Sequence, residues 1–206
     1  PRKNELYLPT TALADAVAEE WRAVGEAIDP VQMPMTGFAN AAIDHVAADR
    51  ATFAAQIAAY AENDGLCYRA EAEDALAVKQ AEFWDPWLDW ARARYDVAFT
   101  LVEGVMHQPQ PVATLEKLSA AVAKRGTFEL AAMAKLAHLS GSLVATLALV
   151  ERAGEAEKLW QARREQAPVR LRADGARSLV DIAGRTHAIT LHGSLRDIAM
   201  RGECAG

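Results

Sequence analysis

Glu103 and His107 stand four residues apart, the spacing at which a helix would offer a carboxylate and an imidazole to one metal ion. Gly104 and the prolines at 109 and 111 place both in a loop, so the spacing predicts no metal site there. None of the other histidines, His45, His138, His187 and His192, has a Cys or carboxylate at i+3 or i+4 within a predicted helix. Asp44 and His45 are adjacent, so their side chains diverge on a helix and read as a surface pair. Leu139-Ser140-Gly141-Ser142-Leu143 is only loosely like a nucleophile elbow. It lacks the glycine before the serine and lies inside a helical pattern, so its serines read as packing residues. No glycine-rich loop precedes a Lys-Ser or Lys-Thr, which leaves no phosphate cradle of that type. Cys67 falls on a strand candidate, where a buried, inert thiol is the default. The carboxylates are scattered along helical faces and identify no acid–base pair.

What remains is aromatic and apolar. Trp84, Trp87 and Trp90 step by three, so two or all of them share a helical face, and tryptophans at helical spacing read as core ahead of a binding role. Trp21 falls on the apolar stripe of an earlier helix, so Trp21→Arg should destabilise the fold by burying an unpaired charge. Met33, Met35 and Phe38 lie in a proline-broken segment. They are of the residue types found at adaptable protein–protein surfaces, and they would equally serve as anchors into the core.

The elements that would carry these residues follow from periodicity and punctuation. Leu6–Leu8 reads as a short edge strand stopped by Pro9. Thr10 or Thr11 can cap a helix from Ala12 to about Glu26, with Leu13, Ala16, Val17, Trp21 and Val24 near the 3.6 period. Asp29-Pro30 and Met33-Pro34 predict an extended loop, after which Thr36 can cap a helix from Gly37 to Val46. An Ala-rich helix spans about 50–61, Asn63-Asp64-Gly65 turns, and Leu66–Arg69 reads as a strand. Glu73–Trp84 is helical. Pro86 should kink or restart the helix, with Asp85 as the new cap. Val97–Val102 alternates like a strand, and Val112–Ala123 is a helix ended near Gly126. The longest predicted helix runs from Thr127 to about Glu151. Being apolar nearly all round from Leu139 to Val150, it belongs at the centre of a bundle. Beyond Arg152, the segments 169–172, 178–182 and 188–191 are strand-like and separated by glycines, compatible with a hairpin or with disorder.

Composition bounds the functional class. The chain has 206 residues, 51% hydrophobic and 24% charged, enough to bury a full core. Its two cysteines do not form a disulfide framework, which fits a reducing compartment. No run of 18 apolar residues predicts a membrane span, and no leader-like segment is visible. Net charge is −6. Residues 1–150 carry 12 Lys+Arg against 20 Asp+Glu, and the remainder carries 10 against 8. An acidic body argues against nucleic-acid binding.

Leu8-Pro9-Thr10, Glu20-Trp21, Gly25-Glu26, Ile28 and Pro30, followed by Met33-Pro34-Met35-Thr36 and Asn40 through Asp44, resemble the opening of the ATP12 family. Cys67-Tyr68-Arg69-Ala70, Gln80, Trp84-Asp85-Pro86, Leu88, Trp90-Ala91, Tyr95, Val97 and Ser140–Leu149 extend the resemblance over most of residues 5–150. The family consists of assembly chaperones for the F1 sector of ATP synthase. The resemblance implies a mainly α fold with a small α+β part, an orthogonal helical bundle beside a small sheet. Residues 1–30 would be the remainder of a small N-terminal α/β domain, which strands near 66–70 and 97–102 could join. Residues 31–150 would be the bundle, and 151–206 a divergent tail in which Trp160, Arg164 and Glu165 still fit the family pattern. The family's β-rich stretch before Leu-Pro-Thr is not in this sequence.

The implied function is to bind the free F1 α subunit and mask its interface until the β subunit replaces it. No enzymatic activity, cofactor, metal, nucleic acid or membrane insertion is implied. The chain would act as a monomer in the bacterial cytoplasm, or in the mitochondrial matrix if eukaryotic. Partner-binding or family-motif residues would be Trp21, Glu26, Met33, Pro34, Thr36, Asn40, Asp44 and Glu165, with Trp84, Asp85, Pro86 and Trp90 structural. A helical ligand-binding protein or enzyme with a pocket between bundle and sheet is the alternative.

Overall fold

The computed structural model describes residues 4–155 and Lys158, and the backbone of residues 179–182 and 185–188. The fold is mainly α with a small parallel pairing. Helices α1 (Thr11–Arg22), α2 (Pro34–Ala41), α3 (Arg50–Ala58), α4 (Ala75–Tyr95), α5 (Val112–Ala123), α6 (Thr127–Ser140) and α7 (Leu143–Val150) follow in chain order. Strands β1 (Tyr68–Arg69) and β2 (Val102–Glu103) pair in parallel. Farther on, β3 (Leu179–Ile182) and β4 (Arg185–Ala188) form an antiparallel ladder. The sequence leaves a hairpin or disorder open here. The described strands pair over 179–182 and 185–188, the second earlier than the 188–191 expected, and residues 169–172, 178, 183–184 and 189–191 lie outside the described residues.

The core forms around α7, which is buried at every position from Leu143 to Val150. Helices α4 and α6 pack on it, α3 packs on α5 and α6, and α1 joins through α2. The predicted single helix from 127 to 151 is two helices. Gly141 takes a left-handed φ of 64°, which only glycine adopts without strain. Its N–H closes α6 on the Ala137 carbonyl, while its own carbonyl accepts from Gly65 N–H. Ser142 then caps α7 through the Ala145 N–H at 3.0 Å. The serines read as packing residues thus terminate one helix and start the next.

Asp64 ties this junction to the bundle. Its carboxylate is fully buried and accepts N–H groups from Leu66 at 3.0 Å and from Val144 at 2.9 Å. It thereby caps both the turn after Gly65 and the N-terminus of α7. Burial pushes its pKa up, and the Val144 and Leu66 amides pull against that shift. Burial also pushes the Cys67 thiol well above its ordinary value, in keeping with an inert side chain.

The restart at Asp85-Pro86 does not occur. α4 runs unbroken through Pro86, and Asp85 instead pairs with Arg69 at 2.6 Å. Trp84, Trp87 and Leu88 are buried on both sides of the proline, and that packing offsets one lost backbone bond. Trp90 packs at the edge of the same cluster, edge-on to Tyr95.

Three predicted strands before residue 150 are absent or shortened. Leu66–Arg69 keeps only Tyr68–Arg69, because Leu66 and Cys67 lie in a 3-10 turn (Gly65–Cys67) capped by Asp64. Residues 6–8 form no strand, and among the described residues no strand pairs with them. Of Val97–Val102, only Val102 joins the sheet. Side chains replace a neighbouring strand there: the Gln110 amide bonds both the N–H and C=O of Thr100, and the Thr114 hydroxyl does the same for Ala98.

At the far end of α7, the Glu151 carboxylate accepts from Arg94, from Tyr95 at 2.8 Å and from Arg125. This joins the ends of α4, α5 and α7. Burial pushes the Glu151 pKa up, but the three donors outweigh it and hold the carboxyl below its ordinary value.

Candidate partner-binding surface

Helix α1 starts at Thr10, whose hydroxyl accepts the Leu13 N–H at 3.2 Å. Leu13 and Val17 are its buried residues. At about 100° per residue, Glu20 falls nearer the line through these two than Trp21 does. The structure follows that arithmetic. Glu20 turns inward, and its carboxylate accepts the N–H groups of Met35 at 2.6 Å and Thr36 at 2.7 Å. A carboxylate at a helix N-terminus satisfies amides that have no partner within the helix and complements the helix dipole.

Trp21 is accordingly not buried: it is 47% exposed, which corrects the placement of this side chain in the core. Helix α1 ends at Arg22, so Val24 does not extend the apolar stripe. The connection to α2 is held rather than loose. Asp29 accepts the Val31 N–H at 3.0 Å and starts a short 3-10 turn over Pro30–Gln32. Along this connection Ile28 and Val31 are exposed, Val31 at 81%, and Glu26 is exposed as well.

The Met-Pro segment is helical, not extended. Pro34 occupies the first turn of α2, where its missing N–H costs nothing. Thr36 is inside the helix rather than capping it, because Glu20 supplies the cap. Its hydroxyl is buried without a hydrogen-bond partner. Of the two readings for Met33, Met35 and Phe38, the structure shows the anchor: all three are buried, and Phe38 packs edge-on to Phe128 at 6.0 Å. Asn40 is half-buried. Asp44 is buried in a π-helical turn (Ala42–Val46) and accepts from Asn4 at 2.9 Å, whereas His45 is exposed. The surface-pair reading of Asp44 is thus corrected. Glu165 lies outside the described residues.

Of the sequence candidates, then, Trp21, Glu26 and Pro34 face outward on one connection. Met33 and Thr36 are buried at the start of α2, and Asp44 is buried farther on, against Asn4. Sequence reasoning missed Glu20 and Asp64. The signal for Glu20 was present, since steps of four and three from Leu13 through Val17 lead to it. Among the described residues no three His, Cys, Asp or Glu side chains are placed to hold a metal ion. No helix of the described residues is long and apolar enough to cross a membrane.

Comparison with known proteins bears on this arrangement. Residues 1–92 match the family described as ATP12 chaperone protein. The crystal structure of Atp12 from Paracoccus denitrificans is 43% identical and superposes with a TM-score of 0.76, covering 80% of this chain and 71% of that one. A point mutant of the same Paracoccus protein gives 43% identity and a TM-score of 0.77, over 81% and 71% of the two chains. A chaperone candidate from Agrobacterium tumefaciens is 37% identical with a TM-score of 0.73, over 79% of this chain and 61% of that one. Identity at this level across most of the chain joins fold to ancestry, and the chain belongs to the ATP12 family of ATP synthase assembly chaperones.

Proposed function

We propose that this chain binds the free F1 α subunit and masks its assembly interface until the β subunit takes its place. The observation that carries the reading is the outward-facing Trp21, with Ile28 and Val31, on a connection clamped at its far end by Glu20. Exposed tryptophan and aliphatic side chains on a preorganised backbone suit an interface, because little ordering entropy is lost on binding. Trp21, Glu26 and Pro34 would touch the client. Met33, Thr36, Asn40 and Asp44 would hold the surface in shape.

The mechanism is masking rather than catalysis. An unassembled subunit exposes apolar area that would otherwise drive aggregation. A chaperone that must hand over its client needs moderate affinity, so that the β subunit can compete for the same face. The protein would act as a monomer in the bacterial cytoplasm.

Mixing the purified protein with free α subunit, and separately with free β subunit, tests the reading by light scattering and co-elution. Protection confined to α, with the complex dissolved by added β, supports it. Equal protection of both subunits, or of neither, refutes it.

A further inference from the structure

A second apolar feature lies far from the α1–α2 connection in sequence. Val105 and Met106 are 90% and 78% exposed. They are not at the tip of a slack loop. On the N-terminal side, β2 pairs with β1, Gly104 N–H donates to the Arg69 carbonyl, and the Glu103 carboxylate takes the Ala72 N–H. On the C-terminal side, His107 contacts the Tyr68 hydroxyl at 3.1 Å and Glu62 at 3.2 Å. Two large apolar side chains are therefore held in water by anchors on either side.

Beside them is a recess lined by Glu71, Ala72, Glu73, Glu103 and Gly104. Among the described residues no Lys or Arg forms an ion pair with any of its three glutamates; the nearby Arg69 is committed to Asp85. Gly104 belongs both to the recess wall and to the turn that projects Val105, so the acidic and apolar parts are contiguous.

We infer that this recess and the Val105–Met106 tip form a docking site for a client segment that carries a Lys or Arg next to an aliphatic or aromatic residue. The basic group would enter the recess, where three carboxylates without a cationic partner supply the complementary charge. Its apolar neighbour would cover Val105 and Met106. The inference rests on the client reading above and adds a second point of attachment to it.

The test uses the full chain and free F1 α subunit, with two double variants: Val105→Ser with Met106→Ser, and Glu71→Gln with Glu73→Gln. All four side chains are exposed, so thermal midpoints should match wild type. Each pair is expected to weaken α-subunit binding about tenfold, and wild-type binding should fall with added salt while that of the glutamine variant falls less. If wild type holds α and both variants hold it equally well, this site is refuted while the client reading stands. If wild type fails to hold α at all, the client reading falls and takes this site with it.

Discussion

Glu20 accepts the backbone N–H of Thr36 at 2.7 Å across sixteen residues of sequence, so that the last turn of α1 supplies the cap that the start of α2 lacks. Trp21 faces outward because its neighbour faces in. Removing the two side chains should therefore separate stability from binding. Glu20→Ala is expected to lower stability by about 1–2 kcal/mol through two uncapped amides. Trp21→Ala is expected to cost less than about 1 kcal/mol while weakening client binding. Trp21→Arg should likewise fold, since a half-exposed charge reaches water. Urea midpoints set against α-subunit affinity check both.

Asp64 should be far less tolerant. Asp64→Ala leaves the buried N–H groups of Leu66 and Val144 unpaired and is expected to cost about 2–4 kcal/mol. Asp64→Asn retains one acceptor and should cost less. Denaturant melts of both variants give the comparison, and equal stability of Asp64→Ala and wild type would remove Asp64 from this role.

Acid sensitivity should trace partly to Glu151. Its carboxyl is held below the ordinary value of 4.5 by its donors in the folded chain, so the unfolded chain binds the proton more readily. The stabilisation is complete above pH 4.5 and is lost as pH falls through the lower, folded value. Glu151→Gln should be less stable near neutrality, with a shallower loss on acidification. Urea midpoints measured from pH 7 downward would show the two curves converging.

Gly154 sits directly against the indole of Trp87, and a Cβ at that position would fall inside the ring's contact distance. Because Trp87 is buried, it has little room to yield. Gly154→Ala is expected to cost about 1–3 kcal/mol by overpacking, with a shift in tryptophan fluorescence. A thermal midpoint and emission spectrum like those of wild type would contradict the contact.

Local signals in the sequence were reliable where one element satisfied itself. Helix α5 spans Val112–Ala123 as its pattern predicts, and Trp84, Trp87 and Trp90 pack on the side their spacing implies. The departures arise where distant groups decide. Pro86 is tolerated because buried tryptophans flank it, and Thr100 needs no neighbouring strand because Gln110 supplies both bonds. Gly141 was visible as a small residue, but its role as a break depends on Gly65 and Ser142. In the candidate surface, residue types singled out the segment but did not give the orientation of its side chains. Glu20 and Trp21 compete for one inward position; helical spacing from Leu13 and Val17 already favours Glu20, and the amides of α2 give its carboxylate the partners that make burial favourable.

The most direct test of the client surface is backbone hydrogen exchange on the full chain, with and without free F1 α subunit. The account predicts that amides between Trp21 and Pro34 slow when α is added and recover when β displaces it. A stable complex with α in which exchange across that stretch is unchanged would contradict the account.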